Sequence, residues 1–203
     1  MKNNKTEKKT SDPSDLIRSD LTENILRIES IFSETPDMVI RKLTIKHTSE
    51  SAALIYLNGL TDRPALNNDV LRPLQLESND GKPGDEPILA VGHMEKESEF
   101  TSIELSILLG SSVLFIEGRE YAYILGTSGW PQRAIEDPQL ETSLKGAHQG
   151  FVETSGVNIA LVRRYIPSHQ LKMRRLVIGE RGQTSLTIMY LADVMNPQLN
   201  RRA

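Results

Sequence analysis

Apolar residues recur along this chain with two different periods, and each change of period marks an element boundary. Ile17, Leu21, Ile25, Ile28 and Phe32 lie within an arc of about 80° on a 3.6-residue wheel, which predicts a helix over about 16–32 with one buried stripe. Ser14 stands where a side chain can cap it, and Thr35-Pro36-Asp37 stops it. Met38 to Lys46 is β-rich and partly alternating. Ala52 to Leu57 is continuously apolar, as in a strand covered on both faces. Residues 61–76 read as a helix, with Thr61 or Asp62 at the cap and Pro64 in the first turn. Ser78 to Pro87 is a loop by its glycine, proline and aspartate content. Ile88 to Val91 reads as a short strand and Thr101 to Leu109 as a helix. Between these two, Glu95, Glu97 and Glu99 alternate across a polar stretch that reads as a solvated loop.

Val113 to Ile116 and Tyr121 to Leu125 flank Glu117-Gly118-Arg119-Glu120, which predicts a hairpin with a glycine turn. Residues 126–150, with Trp130-Pro131, Asp137-Pro138, Gly146 and Gly150, read as an extended connector. A helix from Phe151 to Tyr165 follows. Two strands come next, about Leu171 to Ile178 and Ser185 to Leu191, joined by Gly179-Glu180-Arg181-Gly182.

The order helix, strand, strand, proline occurs twice. Leu54-Ile55-Tyr56-Leu57 precedes Pro64, and Ile188-Met189-Tyr190-Leu191 precedes Pro197. The expected fold is therefore α/β (α+β): two similar small subdomains of mixed β-sheet with packed helices, the second truncated. The expected division is a disordered lysine-rich tail at 1–13, a first subdomain at 14–128, a connector at 129–150 and the start of a second subdomain at 151–203.

Composition narrows the possible chemistry. The chain has 203 residues, a net charge of −3 and no cysteine. Disulfides and thiolate metal sites are thereby excluded, and no basic excess points to nucleic acid. No apolar run approaches the roughly 18 residues that cross a bilayer, so these residues read as a soluble module with any anchor lying elsewhere. No phosphate-binding glycine loop is present. Gly126-Thr127-Ser128-Gly129-Trp130 only approaches a nucleophile elbow and reads as a turn. The histidines at 47, 93, 148 and 169 lack the spacing of a helical zinc site. No catalytic residue, metal site or cofactor is assigned, and the expected role is not enzymatic.

The segment from Gly129 to Arg164 is the most distinctive. Gly129, Trp130, Arg133, Glu136, Glu141, Gly146, Gly150, Phe151, Glu153, Asn158, Ala160, Leu161, Arg163 and Arg164 occur there in one order. This order resembles the GerA family of spore germination receptors, specifically its A subunit. Leu54 to Leu60, Val113 to Gly118, Ile178 to Arg181 and Tyr190 to Pro197 add similar stretches in sequence. There are departures: Lys145, Ala147, His148 and Gln149 replace an arginine-proline-arginine-glutamate pattern, and Glu180 replaces an arginine. Lysine and histidine cannot reproduce a bidentate arginine contact.

The resemblance implies a receptor component at the spore inner membrane, with this domain on the cytoplasmic (core) side. It implies B and C subunits as partners, with self-association of A subunits. The expected function is receptor assembly and coupling of nutrient sensing to germination. The alternative is a germinant-binding domain with a cleft between subdomains and Trp130, Arg133 and Asn158 near it. Trp130, Arg133, Glu141, Asn158, Arg163 and Arg164 are the candidate ligand or interface residues. For Trp130 the other reading is core packing. For Arg163 and Arg164 it is a last-turn placement against the helix dipole.

Overall fold

A computed structural model describes residues 12–76, 81–129 and 150–196. Its larger layer is a five-stranded sheet in the order β1-β2-β4-β5-β3. The strands are β1 (Met38–Thr44), β2 (Ser51–Leu57), β3 (Met94–Glu97), β4 (Ser112–Ile116) and β5 (Ala122–Leu125). A separate hairpin pairs β6 (Leu171–Ile178) with β7 (Thr184–Leu191). The α+β class expected from the sequence is the one adopted. Within it every pairing among the described strands is antiparallel rather than mixed.

The central strands β2 and β4 carry side chains into two apolar cores, one on each face. On one face α1 (Leu21–Ile31) and α4 (Phe100–Leu108) cover Ala53, Ile55, Val113 and Phe115. On the other, Leu66, Val70, Leu71 and Leu74 cover Leu54, Leu114, Ile116 and Tyr123. This double coverage is why 52–57 and 113–116 read as unbroken apolar runs.

The first helix starts later than its apolar stripe suggests. Leu21 is its first residue, and the cap is Asp20, whose carboxylate accepts the Glu23 N–H at 2.9 Å, not Ser14. Ser14 instead lies in a 3-10 turn, Pro13–Asp15. Ile17 is buried all the same, because 16–17 run extended and bond to Ser98 and Glu99. A residue ahead of the helix has continued the helical stripe.

Two further expectations are corrected. Ile88 to Val91 forms no strand; it is an irregular strap whose Leu89 and Val91 pack on the second core. The glutamate-rich stretch after it is not a loop, since Met94–Glu97 forms β3, the sheet's edge. An edge strand solvated on one side needs no apolar alternation.

The helical run 63–76, from α2 (Arg63–Ala65) to α3 (Arg72–Leu76), is interrupted by six π-type residues, Leu66–Leu71. Pro73 supplies the cause. It has no N–H for the Asp69 carbonyl four residues back, and its ring crowds that carbonyl. The turn widens, so that Arg72 N–H reaches Asn67, and the Ala90 N–H of the strap takes the Asp69 carbonyl at 3.1 Å.

The helix α5 (Ser155–Tyr165) and the β6–β7 hairpin repeat α1, β1 and β2 at a constant distance along the chain. Helix starts (155 against 21), helix ends (165 against 31) and second-strand ends (191 against 57) are each 134 residues apart. A shared device lies at the same spacing. The Asn24 side chain accepts from Arg18 N–H at 2.9 Å and donates to Arg18 O at 2.6 Å. The Asn158 side chain does the same to Val152, at 2.8 and 2.7 Å. In each helix this asparagine is the fourth residue, and it folds the incoming chain back onto the first turn.

Candidate functional site

The second helix–hairpin unit meets the first at Ile31 to Asp37, the segment joining α1 to β1. Pro36 prevents the helix from continuing, and Glu34 turns the chain with φ 54°. The far unit then bonds to several groups of this turn. Met173 N–H donates to the Glu34 carbonyl at 3.0 Å, and the Tyr190 hydroxyl donates to the Glu34 carboxylate at 2.6 Å. Lys172 Nζ donates to the Ile31 carbonyl at 3.3 Å and to Ser33 Oγ at 3.2 Å, closing the C-terminal end of α1.

The centre of the contact is an ion pair. Arg163 Nε and Nη2 donate to the two oxygens of Asp37 at 2.5 and 2.8 Å, and Nη1 reaches the Leu171 carbonyl at 3.5 Å. The side chains are 1% and 4% exposed. A pair this deep gains little net stability, because desolvation offsets the attraction. It does fix the seating of α5, since any other placement strands a charge in the core. Only arginine has the planar fork that this bidentate geometry uses.

Backbone shape admits α5 at this place. Gly59 follows β2 with φ +101°, and a Cβ there would stand 3.4 Å from the Ala160 Cβ. Ala160 is itself buried in the first core. On the far side of the junction, His169 Nδ1 meets a Glu104 carboxylate oxygen of α4. Burial pushes the Lys172 ammonium below the usual lysine value; Glu34 opposes this and Arg163 adds to it.

Beside the ion pair lies an open cleft of about 500 Å³. Phe32, Met38 and Met173 line it, with Glu29 and Glu34 and with Arg174 and Arg175 among its polar groups. It offers apolar contact between opposite charges and no nucleophile–base pair. Among the described residues no group of three or more metal-ligating side chains occurs.

Of the residues singled out in the sequence, Trp130, Arg133 and Glu141 lie outside the described residues. Asn158 spends both ends of its amide on Val152. Arg163 is at the junction, and its interface is internal to the chain. Arg164 is exposed on the next position of the helix. Asp37, Lys172 and Glu34 had no sequence signal: the partner of Arg163 is 126 positions away, and nothing local marks it.

A second polar cluster was also hidden. Arg119, read as a turn residue, is 6% exposed. It donates to Tyr123 Oη at 2.8 Å, Glu50 at 3.0 Å and the Asp85 carbonyl at 2.7 Å, tying the 81–91 strap to the sheet. Burial raises the Tyr123 phenol above its ordinary value, and the hydrogen bond it shares with Tyr121 adds to this.

Comparison with known proteins places this architecture. The chain is 28% identical to spore germination protein KA of Bacillus subtilis (strain 168), over 91% of its own length and 35% of that protein's. It is 33% identical to stage V sporulation protein AF of the same organism, over 80% of the chain and 34% of the relative. The chain thus spans about a third of the length of these curated relatives. Its fold matches the crystal structure of the N-terminal domain of the A subunit of the Bacillus megaterium spore germinant receptor GerK3. The TM-score is 0.72 at 23% identity, covering 92% of this chain and 70% of that one. No helix among the described residues is long and apolar enough to cross a membrane. The family model described as Bacillus/Clostridium GerA spore germination protein matches residues 26–202, and the chain belongs to that family.

Proposed function

We propose that this chain is the N-terminal domain of an A-type germinant receptor subunit, a non-enzymatic module for receptor assembly and for coupling nutrient sensing to germination. Its site is the cytoplasmic (core) side of the spore inner membrane, with B and C subunits as partners. The observation that carries the coupling role is the buried Arg163–Asp37 pair. It joins the second helix–hairpin unit to the first residues before β1, so a displacement of the hairpin is passed to the edge of the five-stranded sheet. The test is the nutrient response of spores whose receptor carries Asp37→Leu with Arg163→Met. The expected result is a much slower response at an unchanged receptor level. A normal response would remove the coupling role. The assembly role is tested by light-scattering mass over a concentration series beside Arg133→Ala. A rising mass that the variant suppresses places the connector in a contact; a variant that associates like the parent removes it.

The cleft supports a second reading, a germinant site. Carboxylates at Glu29 and Glu34, guanidinium groups at Arg174 and Arg175, and the apolar Phe32, Met38 and Met173 suit a small zwitterion with an apolar side chain. Binding would raise the melting temperature with ligand concentration, following RT ln(1 + [L]/Kd). A flat response to a panel of free amino acids at millimolar concentration sinks this reading.

A further inference from the structure

Among the asparagines of the chain, Asn58 alone precedes a glycine; the others precede residues with side chains. The pair lies in the turn after β2, and both residues are half-buried. Leu60 N–H closes this turn on the Leu57 carbonyl at 3.2 Å, and Asn58 N–H donates to the Asp37 carbonyl at 2.8 Å. Gly59 N–H has no hydrogen bond among the described residues. Without a Cβ, nothing on Gly59 shields its nitrogen from the side chain before it.

The Asn58 amide is held from the other side. Arg63 opens α2, whose first turn is capped by the Asp62 carboxylate, the acceptor of Ala65 N–H at 3.0 Å. Arg63 Nε and Nη2 donate to Asn58 Oδ1 at 3.2 and 2.8 Å. Two donors of one rigid guanidinium fork thus meet a single amide oxygen. A cation so placed polarises the Cγ–Oδ1 bond and stabilises the negative charge that a nucleophile pushes onto Oδ1.

We infer that Asn58 is a site of spontaneous deamidation, promoted by Arg63, and that its isoaspartate product loosens the seat of α5. Gly59 N gives its proton to a solvent base and bonds to Asn58 Cγ. The Cγ–Nδ2 bond breaks, and Nδ2 leaves as ammonia with a proton from water. The succinimide ring so formed adds a water molecule. Opening at Cγ yields aspartate. Opening at the main-chain carbonyl yields isoaspartate, whose main chain runs through Cβ and Cγ and is longer by a methylene. In both products NH2 has been exchanged for OH. The added methylene falls between the N–H that holds the Asp37 carbonyl and Gly59, whose added Cβ would stand 3.4 Å from the Ala160 Cβ. The longer chain must press on α5 or pull away from Asp37, the partner of Arg163. This chemistry belongs to the turn and does not rest on the coupling reading.

The experiment is peptide mapping by mass spectrometry of the full chain aged at mildly alkaline pH, folded and in urea, beside Arg63→Ala and Asn58→Gln. In the folded parent, Asn58 should lose its amide faster than Asn24 or Asn158 by more than about tenfold, since only there does an unhindered nitrogen lie next to the amide. Arg63→Ala should slow the loss about threefold in the folded chain, the worth of an exposed charged contact, and change nothing in urea. The melting temperature of the parent should fall with age, and that of Asn58→Gln should hold. An Asn58 that keeps its amide as long as Asn24 does overturns the inference. So does a folded Arg63→Ala chain that reacts as fast as the parent, or a parent whose melting temperature falls no further than that of Asn58→Gln.

Discussion

The two helix–hairpin units share an element order, a 134-residue spacing and the same asparagine clasp, yet their second strands live in different surroundings. Leu54, Ile55 and Leu57 of β2 are wholly buried, whereas Ile188, Met189 and Leu191 of β7 are only half-buried. The residues are chemically alike. What differs is the company: among the described residues β2 lies between β1 and β4 with a helical layer on each face, and β7 pairs with β6. Burial is conferred by neighbouring elements, and a local pattern only makes it possible. The second unit is held to the first at its other end by the polar contacts of Arg163, Lys172 and Tyr190.

Breaking those contacts should give the largest effect. Arg163→Ala leaves Asp37 buried and unpaired and is expected to cost about 3–5 kcal/mol in urea unfolding. Arg163→Lys should recover only part of it. The next experiment sharpens the contrast between strands. Leu54→Ala is expected to cost about 2–5 kcal/mol, and the counterpart Ile188→Ala about 1 kcal/mol, since half as much apolar surface is involved. Equal costs would mean that β7 is as well covered in solution as β2. The two clasps come next. Asn24→Ala strands the Arg18 backbone groups and should cost about 1–3 kcal/mol; Asn158→Ala, at a half-buried site, should fall at the low end of that range.

The smallest effect is on pH dependence. Burial holds the Tyr123 phenol above its unfolded value of 10.0. Above that pH the unfolded chain releases a proton that the folded chain keeps. The stabilising contribution is therefore complete below pH 10 and declines as pH rises beyond it. Tyr123→Phe should flatten that decline in denaturation curves recorded on either side of pH 10; an unchanged slope would assign it to other groups.

The sequence was most legible where one element faces one environment. The stripe of α1, the apolar runs of β2 and β4 and the hairpin around Gly118 could all be placed from period and turn chemistry alone. It was least legible where an apolar residue serves a non-helical segment, as Ile17 does, or where an edge strand needs no alternation, as in Met94–Glu97. The junction was partly visible. Arg163 stood out through a family resemblance, but its partner did not, because the fold alone brings Asp37 to it. Gly59 stood within the Leu54 to Leu60 stretch of the family resemblance, and its closeness to Ala160 was not visible.

The bond between Ala90 and Asp69 sets an order of events in time. A chain emerging from the ribosome exposes Pro73 before Ala90, and for that interval the Asp69 oxygen lacks its bond to the strap. The helical run from 63 to 76 is therefore finished by a residue made later, and the strap is fastened in the same step. In hydrogen exchange the Ala90 amide should accordingly behave as part of a helix, although it belongs to none.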